Sequence, residues 1–188
     1  MKLPISIKNN KSFDEIKIKN DEYLKEVKIC SYNNFEDKRG IIWTSFKKEW
    51  DAKLLPEGVN FVHDKFNLSK KNVLRGIHGD QETYKLISCV YGKIFQVVVD
   101  CRINSKNFGK HTTFELNHLN PKSILIPPGF GNGFLVSSSK AIYHYKLAYK
   151  GKYNDSEKQF TYSWNNKNFK IKWPNLKPIL SKRDSKSA

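Results

Sequence analysis

KLISCVYGKIFQVVVDCRI, residues 85–103, is the stretch on which the fold turns. It reads as two apolar strands bent at Tyr91-Gly92, because aliphatic and aromatic residues fill both halves and a glycine stands at the break. The flanking text carries the same signals. Upstream lie NFVHDKFNLS (60–69) and NVLRGIHGD (72–80); downstream lie KHTTFELN (110–117), SILIPPGFGNGFLVSS (123–138) and AIYHYKLAYK (141–150). Strands of this length, separated by Gly, Pro and Asn turns, predict an all-β antiparallel sandwich or barrel. Further out, FEDKRGIIWTSF (35–46) predicts a turn over Asp37 to Gly40 before a strand, and WDAKLLPEG (50–58) a short helix stopped by Pro56 and Gly58. In the first 30 residues ISIKNN, EIKIK and EVKICSY alternate apolar and charged positions, a pattern of strands or of a loosely attached arm. Residues 154–188 are mixed, with a short helix expected before WPNLKPIL. No repeat or low-complexity linker divides the chain, so a single domain over residues 1–188 is expected.

Composition narrows the function classes. Hydrophobic residues make up 38% of the 188 and aromatic residues 13%, too much packing material for a disordered chain. No apolar run approaches the roughly 18 residues of a membrane span, and MKLPISIKNN lacks the apolar region of a secretory signal. Cys30, Cys89 and Cys101 are odd in number and widely spaced, so neither a disulfide framework nor a zinc site reads from them. Buried free thiols and a cytoplasmic location are expected. The net charge of +16 would suit nucleic acid, an anionic membrane or a phosphorylated substrate. The lysines are scattered among asparagines, however, and no nucleic-acid-binding motif accompanies them. The expectation is no nucleic acid, no membrane insertion, and a few of these cations meeting a small anionic substrate.

Chemistry concentrates between Val73 and Tyr145. His78 and Lys85 stand close together in VLRGIHGDQETYK, and Tyr145 follows in AIYHYK. A base, a cation and a phenol can move a proton on carbon beside a carbonyl without a metal or redox cofactor, so none is expected. Each residue also has an ordinary structural explanation. A lone histidine is more often a satisfied structural residue than a catalyst. Lys85 would be a solvated strand end, Tyr145 a core residue with its hydroxyl at the edge, and Arg75 a surface charge. His78-Gly79-Asp80 lacks the paired histidines of metal-binding barrels, and His63, His111, His118 and His144 show no ligand spacing with it. No nucleophile elbow, dinucleotide fingerprint or P-loop occurs.

Taken in order, FEDKRG, VLRGIH, YKLISCVYGKIFQVVVDCR, FGKHTTFEL, ILIPPGFGNGF, YHYK, and IKWP with ILSKRD resemble the dTDP-4-dehydrorhamnose 3,5-epimerases and their relatives, from about Phe35 to Asp184. Each motif is weak alone; seven in register are specific. The resemblance implies a cupin-like jelly roll that epimerises C3, C5 or both in a nucleotide-diphosphate-linked 4-keto sugar. It implies that His78 is the base, an imidazole being largely neutral near pH 7 with an ordinary pKa of about 6.5. Lys85 becomes the cation beside the enolate oxygen, and Tyr145 the phenol that returns a proton on the opposite face. Arg75 becomes the fork that holds the diphosphate. A homodimer is implied too, with Arg39 approaching the partner's nucleotide site.

Several positions depart from the family pattern. Asn132 stands where relatives carry a histidine before the last glycine of the PPGF turn. His63 and Lys65 replace a glutamine and an asparagine, and Thr44 replaces a glutamate. The resemblance puts the aspartate that orients the base after a W-N pair, where this chain has Asn166; Asp80 and Asp155 are substitutes for that task. Arg39, His63, Lys65, Asn132 and Asn166 are thus expected to bear on substrate binding. The short HGDxxTYK loop is similar to the branch that epimerises GDP-linked 4-keto-heptoses for capsule polysaccharide, and that substrate is the one expected. The alternatives are a dTDP-4-keto-6-deoxyhexose 3,5-epimerase, a dTDP-sugar 3,4-ketoisomerase, and a non-catalytic sugar-nucleotide-binding cupin.

Overall fold

The computed structural model of the chain describes residues 15–187. In chain order the strands are β1 (Ile16–Asn20), β2 (Lys28–Tyr32), β3 (Asn34–Asp37), β4 (Gly40–Trp43), β5 (Phe61–Lys70), β6 (Leu74–Gly79), β7 (Tyr84–Tyr91), β8 (Lys93–Asp100), β9 (His111–Asn117), β10 (Lys122–Ile126), β11 (Phe130–Val136), β12 (Lys140–Ala148) and β13 (Phe160–Thr161). Two short helices, α1 (Asp51–Leu54) and α2 (Lys182–Lys186), complete the set. One antiparallel sheet runs β1-β2-β10-β7-β12-β5 and a second β13-β6-β11-β8-β9, with β3-β4 as a separate hairpin. This is the mostly β, cupin-like jelly roll that the motifs imply.

The run at 85–103 lacks polar/apolar alternation because both faces of β7 and β8 are covered. From β8, Ile94 and Val98 enter the core between the sheets with Ile87, Cys89, Ile124 and Tyr143. Val97, Val99 and Cys101 lie in a second cluster, beneath Trp164, Phe169 and Trp173. From β7, Leu86 joins a third with Trp50, Leu54 and Cys30. The bend between the two strands passes the chain from one sheet to the other, and Gly92 permits it. Its φ is +80°, and a Cβ there would stand 2.1 Å from the Lys140 carbonyl oxygen.

EIKIK and EVKICSY form β1 and β2, FEDKRGIIWTSF holds the β3–β4 hairpin, and α1 sits in WDAKLLPEG. ISIKNN lies outside the described residues. The short helix expected before WPNLKPIL is a 3-10 helix at Ser156–Lys158, and an α-helix follows that stretch as α2. Residues 164–173 instead cover the β8 face with widely spaced aromatics, and the Asn166 side chain accepts the Asn168 N–H in a turn. All three cysteines are free and buried. Among the described residues no helix is long and apolar enough to cross a membrane.

Gly76 lets β6 approach β11. Its φ is +130°, and a Cβ would meet Gly133 Cα at 2.4 Å and Asn132 O at 2.7 Å, both backbone atoms that cannot swing aside. Gly76→Ala is therefore expected to destabilise by roughly 2–4 kcal/mol. That lowers the melting temperature by on the order of 10 °C, measurable by calorimetry; an unchanged melting temperature would refute the close approach.

Candidate active site

β6 carries Arg75 and His78 outward from a core strand, β7 carries Lys85 near its start, β11 contributes Asn132 and β12 contributes Tyr145. These five line a cavity of about 300 Å³ together with Lys65 and Asn67 of β5 and with Tyr153, Asp155, Gln159, Ser181, Arg183 and Asp184. The sheets thus bring Tyr145, distant in the chain, to His78 and Lys85, which are close together in it.

The carboxylate on His78 is Asp184. His78 Nε2 lies 2.6 Å from Asp184 Oδ1, and Asp184 is 1% exposed. Asp184 is placed by the first turn of α2. Ser181 caps that turn: its Oγ accepts the Asp184 N–H at 3.1 Å and donates to Asp184 Oδ2 at 2.8 Å. Burial alone would raise the Asp184 carboxyl, but the hydrogen bond and charge of His78, with Ser181 and Arg183, hold it below the usual carboxylate range. An ionised Asp184 accepts Nε2–H, which leaves Nδ1 as the lone-pair nitrogen. The expected substitutes are corrected accordingly. Asn166 lies in the turn before Asn168, away from the cavity; Asp80 pairs with Lys85; Asp155 sits near Lys65 Nζ at 3.5 Å. ILSKRD is among the family-like motifs, yet nothing in it places its aspartate beside His78. The signal available was the S-x-x-D capping pattern of Ser181 to Asp184, which marks a helix start and says nothing of a histidine 106 residues away.

Lys85 is buried with Nζ 3.3 Å from Asp80 Oδ2, an ion pair without a well-aligned hydrogen bond. Asp80 Oδ1 accepts the backbone N–H groups of Glu82 at 3.0 Å and Thr83 at 2.7 Å, which closes the short loop between base and cation. Its carbonyl accepts Gly129 N–H at 2.7 Å and so ties that loop to the PPGF turn. Burial pulls the Lys85 pKa down, and the Asp80 carboxylate pushes it partly back. Tyr145 is pushed well up by burial against the opposing charge of Arg75, so it is a protonated phenol near neutral pH.

Arg75 Nε donates to Ser69 Oγ at 3.2 Å. Arg183, absent from the expected set, donates from Nε to Thr161 Oγ1 at 2.7 Å and through its second amino group to Gln159 O at 3.2 Å. Lys65 Nζ lies 5.4 Å from the centre of the Tyr153 ring. Besides Asn166, two expected binding residues are not in the cavity wall. His63 packs edge-on against Tyr153, with ring centres 5.1 Å apart, and so stands behind a lining residue. Arg39 forks onto Asp37 in the β3–β4 hairpin and is 79% exposed. Among the described residues no group of three or more His, Cys, Asp or Glu is placed to hold a metal ion.

A carboxylate-oriented imidazole, a buried ammonium and a neutral phenol thus surround one cation-rich cavity on a jelly-roll scaffold, a set able to move protons. A family model described as dTDP-4-dehydrorhamnose 3,5-epimerase matches residues 21–188. The dTDP-4-dehydrorhamnose 3,5-epimerase of Escherichia coli (strain K12) is 36% identical over 87% of this chain and 89% of its own. That of Methanothermobacter thermautotrophicus is 34% identical over 74% of this chain and 75% of its own. Among solved structures, a dTDP-6-deoxy-D-glucose-3,5-epimerase from Legionella pneumophila Philadelphia 1, in complex with dTDP-4-keto-L-rhamnose, superposes with a TM-score of 0.84 at 33% identity, covering 92% of both chains. The chain belongs to the dTDP-4-dehydrorhamnose 3,5-epimerase family and is an isomerase of the carbohydrate-epimerase type.

Asp184→Asn can keep an oxygen on Nε2–H and its amide nitrogen on Ser181 Oγ, but it removes the negative charge that stabilises an imidazolium. A kcat loss of roughly 10²–10⁴-fold is expected in steady-state assays. The Asp184 carboxyl sits below its unfolded value in the folded state, so its stabilisation is complete above about pH 4 and is lost as pH falls through the folded value. Denaturant titrations of wild type and variant should therefore converge in acid; curves that stay parallel to pH 2 would contradict the pairing. For Lys85 the sign is opposite, because its charge is lost as pH rises through a lowered pKa. Asp80→Asn keeps the loop's acceptor but removes the opposing charge, so the alkaline limb of kcat/KM should move to lower pH. A limb that stays in place would separate Asp80 from the charge state of Lys85.

Proposed function

We propose that the protein epimerises the carbons beside the C4 ketone of a dTDP-linked 4-keto-6-deoxyhexose, at C3 and C5, as one cytoplasmic domain acting in a homodimer. The observation that carries the chemistry is the convergence of His78, Lys85 and Tyr145 on one cavity with Asp184 on the base. His78 takes the proton from carbon, and the electron pair moves to the C4 oxygen, where Lys85 meets the charge. Tyr145 then returns a proton to carbon on the opposite face. Proton exchange with solvent resets the imidazolium and phenolate. Each positioned acid or base contributes roughly 10²–10⁴-fold. Arg75, Arg183 and Lys65 suit the diphosphate, since all three line the cavity and the two guanidiniums are held by uncharged acceptors.

The nucleotide follows from the relatives, which act on dTDP-linked sugars by name, and from the ligand of the Legionella structure. They favour this reading over the GDP-linked heptose that the HGDxxTYK loop suggests. The second reading keeps one observation in its favour, the short loop locked by Asp80, and it would put the enzyme in capsule synthesis. The exposed Val62, Phe66 and Leu68 on edge strand β5 support a dimer, and three buried thiols accord with a reducing compartment.

Incubation with each 4-keto sugar in D₂O, followed by NMR, decides among these. Deuterium should enter C3 and C5 of the dTDP-linked sugar. Exchange into neither sugar would overturn the epimerase reading, and exchange confined to the GDP-linked heptose would overturn the nucleotide. A carbonyl found at C3 in the product would make the protein a ketoisomerase.

A further inference from the structure

Asn132 is held by one end of its carboxamide. Its Oδ1 accepts from Gln96 Nε2 at 2.6 Å and lies 3.1 Å from the Tyr143 hydroxyl, which makes a shorter bond of 2.9 Å to Gln96 Oε1. The backbone sets the direction of this chain of amides. Gln96 Nε2 also meets the Val97 carbonyl at 2.8 Å, and a carbonyl only accepts, so the Gln96 amide cannot be turned over. A donor therefore faces Asn132, Oδ1 must face that donor, and Nδ2 is turned the other way. Gln96 and Tyr143 are fully buried, Asn132 is 6% exposed, and the Tyr143 ring stacks on Phe134 with centres 4.2 Å apart. Burial raises the Tyr143 pKa well above its ordinary value, so its hydroxyl stays a donor. Three strands from both sheets, β8, β11 and β12, thus converge on one side chain.

Among the described residues Nδ2 has no protein partner. Asn132 is the register partner of His78 across β6 and β11, and it lines the cavity with Lys85 and Tyr145. A carboxamide nitrogen and an ammonium donate and do not accept. Two donor-only groups in one cavity suit an oxygen that only accepts and gains negative charge; a sugar hydroxyl would also need an acceptor. We propose that Asn132 Nδ2 donates to the C4 oxygen of the 4-keto sugar, sharing with Lys85 the charge that develops there, and that Gln96 and Tyr143 are its positioning residues. This assignment rests on the epimerase reading. An imidazole at this place could donate or accept, whereas this carboxamide, its oxygen engaged, only donates.

The test measures kcat and KM of Asn132→Ala, Asn132→Asp and Tyr143→Phe on the sugar that the wild type turns over. Asn132→Ala should lower kcat by roughly 10²–10³-fold, the usual loss for one preorganised oxyanion donor, with KM nearly unchanged. Asn132→Asp should be slower still, because it sets an acceptor beside the enolate. Tyr143→Phe removes one hydroxyl, guards against misfolding of the other variants, and should cost on the order of 10-fold in kcat. Isotope-edited infrared spectra of the bound 4-¹³C sugar add a readout independent of turnover. The C4 carbonyl stretch should lie lower in wild type than in Asn132→Ala. Unchanged kcat, a change confined to KM, an aspartate variant no worse than the alanine, or an unmoved stretch would each overturn the assignment. A wild type inert on both sugars would overturn the epimerase reading and this one with it; an active wild type with an unimpaired Asn132→Ala would overturn this one alone.

Discussion

Val97 and Val99 of β8 face away from the core between the sheets, on a side that would otherwise meet water, and burying such side chains is worth roughly 1.5–3 kcal/mol each. Trp164, Phe169 and Trp173 supply the cover, with Trp173 Nε1 donating to the Trp164 carbonyl at 2.8 Å. That cover draws the C-terminal segment across the second sheet. Leu74 N–H then bonds Ile179 O at 3.0 Å, and Ile179 N–H bonds Asn72 O at 2.8 Å, which pins the chain beside β6. Shortly beyond, α2 begins and Asp184 reaches His78 on that same strand. His78 has Asp184 beside it because a hydrophobic face needed covering.

The electrostatics of the cavity are local, whatever the net charge of the chain. Arg75 is held by a serine hydroxyl, and Arg183 by a threonine hydroxyl and a backbone carbonyl. Uncharged acceptors fix a guanidinium in place without neutralising it. Lys85 is treated differently. Its Asp80 partner offsets the penalty of burying the ammonium, and the same carboxylate closes the loop that carries it. The charge of Lys85 and the geometry of its loop are therefore coupled through one side chain.

The strands were legible because β7, β8, β10 and β11 are dense in apolar residues and are punctuated by Gly92 and by Pro127-Pro128-Gly129. His78, Lys85 and Tyr145 were legible through the order of their motifs, and the cavity brings them together with Arg75, Lys65 and Asn132. Asp184 was not. Its local text, S-K-R-D, describes only a capped helix start, while its partner lies on β6. Asn166 drew attention because it follows a W-N pair, yet its neighbour Trp164 is there to cover Val97 and Val99, and the asparagine only shapes the turn. Arg183 and Tyr153 were missed for the same reason, since the C-terminal segment has no periodicity to say which of its side chains face the cavity.

The sequence by itself determined the all-β architecture and the presence of a base, a cation and a phenol in a fixed order. Apolar density and turn chemistry are local properties, readable over a few residues. Only the tertiary structure decided which carboxylate meets His78, that Asp80 serves Lys85, and that Asn132 turns its nitrogen away from Gln96. Those outcomes depend on contacts between segments tens of residues apart, where hydrogen-bond direction and burial are settled by packing that no single stretch of sequence contains.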